Sequence, residues 1–319
     1  MRILVTGATG LIGRRLISQL LRRGEMVLPL SRKPIPSGFF GPGSCEPVVG
    51  DPTRAGPWRD ALATCDAVVH LAGEPILGKR WNDAVLKELL DSRVESTRLI
   101  AETLARHPKR ADGSPKVFVS GSAVGYYGAN PGAGEQRESS PPGSDALARI
   151  CIAWESAAEP AARAGVRVAH PRTGIVLDPE GGALPTMVRP FKLFAGGRIG
   201  SGKQYVPWIH REDMTGLLLH LLDTAGCRGA FNACAPNPVT NAEFGAALGR
   251  VLHRPNWLPV PRFAIRVLLG KVADVVVGGQ RAIPTKLLES GFAFRFADLE
   301  KALGELLLHP ADHKPDPTP

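Results

Sequence analysis

Gly7, Gly10 and Gly13, in the run TGATGLIG from Thr6 to Gly13, constrain the fold of this chain more than any other feature. The G-x-x-G-x-x-G spacing follows Arg2 to Val5, which reads as a short buried strand. A helical pattern comes next, with Leu16, Ile17, Leu20 and Leu21 on one face, Arg14, Arg15, Arg22 and Arg23 outside it, and Gly24 as its stop. Each glycine has a physical task in that setting. The first permits a tight turn, the second lets backbone approach a pyrophosphate, and the third lets helix and strand pack closely. The N-terminus of the helix then offers oriented N–H groups to an anion.

The pattern repeats down the chain. Strands are expected at Met26–Leu30, Val48–Asp51, Ala67–Ala72, Lys116–Ser120 and Arg167–Pro171, with helices at Asp83–Arg106 and Asp145–Ala164. Strands alternating with helices predict an α/β class, a doubly wound parallel sheet of the Rossmann type. After Pro171 the elements shorten between Gly and Pro, which predicts a smaller C-terminal α/β lobe with helices near Asp213–Asp223, Asn241–Leu252, Arg262–Leu269 and Ala297–Leu307. The expected division is a dinucleotide-binding domain over 1–170, interleaved with a substrate lobe over 171–308. The Pro-, Asp- and Lys-rich residues 309–319 read as a disordered tail.

Composition narrows the function classes. No run of eighteen apolar residues predicts a membrane span, and the N-terminus lacks the pattern of a secretory leader. Cys45, Cys65, Cys151, Cys227 and Cys234 form no CxxC pair, so neither a disulfide framework nor a metal site is expected, and a cytoplasmic location fits. The net charge of +9 is either an ordinary basic surface or a preference for small anionic ligands. The cations are scattered and carry no nucleic-acid-binding motif. The second strand runs into Ser31-Arg32-Lys33, where an NAD-selective fold usually places an acid for the ribose 2′-hydroxyl. A hydroxyl and two cations suit a 2′-phosphate, so NADP(H) is the expected cofactor and NAD(H) the second choice. Plain surface solvation of these side chains is the alternative.

Beyond the glycine loop stand GD at Gly50-Asp51, HLAGEPILGKRW from His70 to Trp81, DSRVESTRLI from Asp91 to Ile100 and VSGSAVGYYG from Val119 to Gly128. SPPG at Ser140 to Gly143, PRTGIVL at Pro171 to Leu177, VPWIHREDM at Val206 to Met214 and APNPVTNAEF at Ala235 to Phe244 complete the set. Over nearly its whole length the chain resembles extended short-chain dehydrogenase/reductases, and within them the atypical epimerase-family branch. The resemblance implies that Thr6, Gly7, Thr9, Gly10, Leu11, Ile12 and Gly13 hold the pyrophosphate, and that Ser31, Arg32 and Lys33 face the adenosine ribose. It implies Asp51 near the adenine, Leu71, Ala72 and Gly73 beneath the second ribose, and Ser120 among the cofactor contacts. Pro171, Arg172, Thr173 and Gly174 would approach the nicotinamide.

Typical members exchange a proton through a Tyr-x-x-x-Lys pair beside a Ser or Thr. No Tyr-x-x-x-Lys occurs here, and by resemblance Leu147 holds the Tyr position and Cys151 the Lys position. Ser122 matches the Ser/Thr. Tyr126, Tyr127 and Glu74 are candidates for the missing acid–base group, against ring packing for the tyrosines and a solvated loop for the glutamate. Trp81, Gln204, Trp208 and His210 are candidate substrate contacts. For Trp208 and His210 the alternative is docking of the two lobes, with Asp213 capping the next helix. The Gly196–Gln204 stretch is either a phosphate-binding loop or a flexible turn. Two functions follow. One is an NADP(H)-dependent oxidoreductase or epimerase-like enzyme acting on a small molecule, nucleotide sugars among the options. The other is an NADP(H)-sensing protein without turnover. The resemblance also implies a homodimer through Asp83–Arg106 and Asp145–Ala164.

Overall fold

The computed structural model describes residues 1–76, 79–129, 134–261 and 278–308. Its centre is a parallel sheet built from β1 (Arg2–Thr6), β2 (Met26–Ser31), β3 (Val48–Val49), β4 (Ala67–His70), β5 (Val117–Ser120), β6 (Arg167–Thr173) and β7 (Gly229–Ala233). Their order is β7-β6-β5-β4-β1-β2-β3, with Ser122–Ala123 adding a short pairing to β6. The chain therefore starts in the middle of the sheet, builds one edge, and crosses back beyond β1. The strands are near-continuous apolar runs because both faces are covered.

Helix α1 (Leu11–Arg22) and helix α2 (Asp83–Arg106) lie in separate apolar layers. Leu16, Ile17 and Leu20 of α1 join Ile3, Val5, Val69 and Leu217 in one layer. Leu99, Ile100 and Leu104 of α2 join Leu4, Leu28, Val68 and Phe118 in the other. Alternate residues of β1 and β4 thus point into opposite layers, as the period of a strand requires. A third core, around Leu184, Phe191, Trp208, Phe244, Leu248 and Leu303, belongs to the smaller lobe.

Several boundaries differ from the sequence reading. The helix expected over Asp145–Ala164 is two pieces, α3 (Ala146–Ser156) and a short turn of helix at Glu159–Arg163. Pro160 sits in the first turn of the second piece, where its missing N–H is tolerated. Strand β4 ends at His70 instead of Ala72, and β3 covers only Val48–Val49. Strand β7 was not expected; its Gly-Ala-Phe-Asn-Ala sequence has weak strand propensity and depends on pairing with β6.

The helix expected from Asp213 begins earlier, as α4 (Arg211–Asp223), and His210 is its cap, accepting the N–H of Glu212 at Nδ1 over 3.1 Å. Asp213 instead accepts the backbone N–H groups of Arg295 and Phe296 at 2.8 and 2.9 Å, so it fastens the C-terminal segment. The helix expected at Ala297–Leu307 is α5 (Leu299–Leu308). The expected helix Arg262–Leu269 and the tail 309–319 lie outside the described residues. Among the described residues no helix is long and apolar enough to cross a membrane.

Candidate functional site

The glycine loop joins β1 to α1. Gly7 adopts φ +65°, and a Cβ there would stand 2.8 Å from the carbonyl carbon of Leu71. A Cβ on Gly13 would stand 2.2 Å from the Gly7 oxygen. Side chains are excluded at both positions by contact. Gly10 caps α1 without a side-chain hydrogen bond, so the first turn keeps its N–H groups for an anion. Thr6 faces inward and its Oγ1 accepts the N–H groups of Leu71 and Ala72 at 3.2 and 3.1 Å. That arrangement fits a dinucleotide: the loop that would hold a pyrophosphate and the segment that would underlie a ribose are fastened together.

Beside the loop opens a cavity of about 560 Å³, lined by Thr9, Ser31, Arg32, Lys33, Pro34, Ile35, Pro36 and Phe39. Arg32 is 73% exposed and lies 3.7 Å from the Glu74 carboxylate. The Ser31 hydroxyl turns back to the Lys33 carbonyl. Asp51 accepts both the N–H and the hydroxyl of Thr53. Burial raises its pKa, but those bonds and the cations Arg54 and Arg32 outweigh it and hold the carboxyl below its ordinary value.

Glu74 stands elsewhere than its candidate role requires. Its N–H donates to Ser92 Oγ at 3.2 Å, and its carbonyl accepts from Arg93 at 3.0 Å. With the backbone pinned at both ends, the carboxylate faces Arg32 and Lys79, beside the cavity that Arg32 lines.

At the other end, the C-terminal edges of β5 and β6 carry a connected polar cluster. Ser122 Oγ donates to Glu155 Oε1 at 2.7 Å. Arg172, 4% exposed, donates through Nε and Nη2 to the two oxygens of Glu155 at 2.8 and 2.9 Å. Its Nη1 reaches the Tyr127 hydroxyl at 3.0 Å, and its guanidinium lies 3.4 Å over the Tyr126 ring. The Tyr127 hydroxyl donates to Asn232 Oδ1 at 2.7 Å. Tyr127 is buried, and burial pushes its phenol up to about 12 against the pull of Arg172. Its proton is committed and its ring sealed, which removes it as the substitute acid. Tyr126 stays partly exposed.

Arg172, expected at the nicotinamide, is turned inward to Glu155. Pro171, Thr173 and Gly174 remain on the strand end, where a Cβ on Gly174 would meet the Pro207 carbonyl oxygen at 2.4 Å. The Ser120 hydroxyl is buried with no hydrogen-bond partner among the described residues.

Leu147 packs with Trp81, Leu89 and Ile150, and burial pushes the Cys151 thiol up to about 12. A thiol held that high is no nucleophile near neutral pH. Trp81 donates its indole N–H to the Ile76 carbonyl at 3.0 Å, within the same apolar cluster. Trp208 and His210 are also buried, in the packing between the lobe's elements. His210 donates Nε2–H to Glu305 at 2.8 Å and stacks on Phe296 with centroids 3.8 Å apart, which docks α5.

Gln204 donates to the Ile199 carbonyl at 2.9 Å. In the same turn the N–H groups of Gly200 and Gly202 bond the Val260 and Ile199 carbonyls, which leaves them no part in a phosphate cradle. Glu155 and Arg93 escaped the sequence reading. Glu155 lies one turn beyond Cys151, on the same side of a helix whose other charged residue, Arg149, is exposed, and that spacing is the signal that marks it.

The model of the NAD dependent epimerase/dehydratase family matches residues 3–234, and a domain of unknown function, DUF1731, matches 260–306. A chloroplastic SDR39U1 homolog of Arabidopsis thaliana, an epimerase family protein, is 40% identical over 309 residues, covering 96% of this chain and 87% of its own. The crystal structure of human epimerase family protein SDR39U1 (isoform 2) with NADPH superposes with a TM-score of 0.81 at 36% identity, covering 96% of this chain and 99% of that one. A nucleoside-diphosphate sugar epimerase from Corynebacterium glutamicum gives 0.77 at 33% identity, covering 96% of this chain and 58% of that one.

Proposed function

The chain belongs to the NAD-dependent epimerase/dehydratase family, and from that premise we propose that it is an NADP(H)-dependent oxidoreductase or epimerase-like enzyme acting on a small hydroxyl- or carbonyl-bearing molecule. The observation that carries the cofactor choice is the cavity beside the glycine loop, where Arg32 and Lys33 stand in place of an acid. A human relative solved with NADPH supports the same choice. Gly7, Gly10 and Gly13 shape the pyrophosphate seat, Thr6 holds Leu71 and Ala72 against it, and Asp51 borders the adenosine end.

When bound, the nicotinamide supplies a hydride donor or acceptor. The chain's part is the proton. Ser122 donates its own hydrogen to Glu155, so towards a ligand its oxygen accepts. A substrate hydroxyl would pass its proton to Ser122 as the proton of Ser122 passes to Glu155, with Arg172 holding that carboxylate in place. Tyr126 is the phenol left beside this route. A nucleotide sugar comes into consideration through the Corynebacterium relative. The internally bonded turn at Gly200–Gln204 argues for a substrate held by side chains instead of a backbone diphosphate cradle.

A sensor without turnover is the second reading, favoured by the apolar cluster of Trp81, Leu147 and Ile150 where a catalytic tyrosine usually stands. The side-by-side helices α2 and α3 support a homodimer through that face, and five unpaired cysteines suit a reducing, cytoplasmic setting.

Titration calorimetry of the nucleotide-free protein with NADPH and NADH, beside an Arg32→Ala variant, tests the cofactor choice. NADPH is expected to bind at least about tenfold more tightly, with the gap collapsing in the variant. Equal affinities in the unaltered protein would overturn it.

A further inference from the structure

At the heart of the sheet, Thr6 and His70 are register partners on β1 and β4, and both are fully buried. Thr6 Oγ1 lies 2.6 Å from His70 Nδ1, and His70 Nε2 lies 2.9 Å from the Oγ of Ser96 on α2. The hydrogens can be assigned by counting. Thr6 Oγ1 already accepts the N–H groups of Leu71 and Ala72, which occupy its two lone pairs. Its own hydrogen must therefore go to Nδ1, and the ring is protonated at Nε2. Ser96 donates its hydrogen to the Ser92 carbonyl at 2.7 Å, leaving its oxygen to accept Nε2–H. Every donor and acceptor along this chain is matched with His70 neutral, and burial together with the charge of Arg93 holds its pKa down to about 3.

This chain ends on the surface that the glycine loop packs against. Gly7 lies against Leu71 and Ala72 so closely that a Cβ cannot enter, and those two N–H groups are held by Thr6 Oγ1. Rotation of the Thr6 side chain about its Cα–Cβ bond would carry the oxygen away from both.

We propose that His70 is a positioning residue for dinucleotide binding: anchored on Ser96, it orients the Thr6 hydroxyl, which sets the gap between the phosphate loop and Leu71–Gly73. His70 touches no part of the ligand itself. The proposal rests on the dinucleotide-binding reading above, and the two fail differently.

NADPH and NADH are titrated by calorimetry into the full chain and its Ser96→Ala, Thr6→Val and Thr6→Ser variants. In parallel, ¹⁵N-labelled protein reports the His70 tautomer by the one-bond and two-bond couplings of its ring nitrogens. The Nε2–H tautomer is expected, insensitive to pH between 5 and 8. Thr6→Val and Ser96→Ala are expected to weaken both nucleotides by the same factor, about tenfold, with Thr6→Ser restoring affinity. An equal loss for the two nucleotides separates this effect from the 2′-phosphate site. Ser96→Ala keeps the histidine and the core volume, so it reports even if Thr6→Val fails to fold. An Nδ1–H tautomer, or affinities within about twofold of the unaltered protein in Ser96→Ala, overturns the positioning role alone. If the unaltered protein binds neither nucleotide, the cofactor reading falls and the positioning role with it.

Discussion

Glu74 places a carboxylate 3.7 Å from Arg32 and 3.9 Å from Lys79, on a backbone held at both its N–H and its carbonyl. A 2′-phosphate entering the cavity must share Arg32 with that fixed negative charge. Glu74→Gln keeps the shape and removes the charge. Exposed pairs of this kind are worth up to about 1 kcal/mol, so NADPH should bind up to about fivefold tighter and NADH nearly unchanged. Calorimetry at low and high salt would show it, with the gain shrinking as salt screens the site; an unaltered NADPH-to-NADH ratio would refute it. The glutamate illustrates what single residues disclose in sequence. The need for glycine at Gly7 and Gly13 was legible because it is local. The direction of the Glu74 side chain was not, because it follows from Ser92 and Arg93 on α2, eighteen and nineteen residues away.

Between elements, the ion pair of Glu155 and Arg172 ties α3 to β6 across seventeen residues of sequence. Removing one member of such a buried pair leaves the other uncompensated, which costs about 3–5 kcal/mol. Glu155→Ala should therefore lower the urea midpoint of unfolding sharply. Glu155→Gln, which keeps an oxygen for the guanidinium, should lose less, and equal stability of Glu155→Ala and the unaltered chain would show that the pair contributes nothing. The order of the main elements was readable from alternating strand and helix patterns, and their ends were not. The break before Pro160 leaves that proline in the first turn of the second piece. Strand β7 exists because β6 offers an open edge to residues with little strand preference of their own. Capping of α4 by His210 in place of Asp213 likewise follows from the arrival of Arg295 and Phe296 from the far end of the chain.

At the scale of the molecule, four histidines among the described residues are shifted towards the neutral form by the fold: His70, His170, His210 and His220, each with its pKa lowered chiefly by burial. In the unfolded chain each returns to about 6.5. Between that value and its folded value the unfolded state binds the extra proton, so stability rises with pH across the window and is complete above about 6.5. On acidification it is lost progressively from pH 6.5 downwards, for His70 as far as about 3. Each group contributes at most about 1.4 kcal/mol per pH unit. Asp213, raised by burial, acts in the opposite sense above its ordinary value, and Asp51, lowered, acts with the same sign as the histidines below its ordinary value. Urea unfolding at pH 7.5, 6 and 5 should give a midpoint that is steady above 6.5 and falls below it. His70→Gln, less stable at neutral pH, should show a shallower fall because one titrating group is gone. A midpoint independent of pH over this interval would mean that these rings are protonated in the fold, and would remove the neutral His70 on which the positioning of the phosphate loop depends.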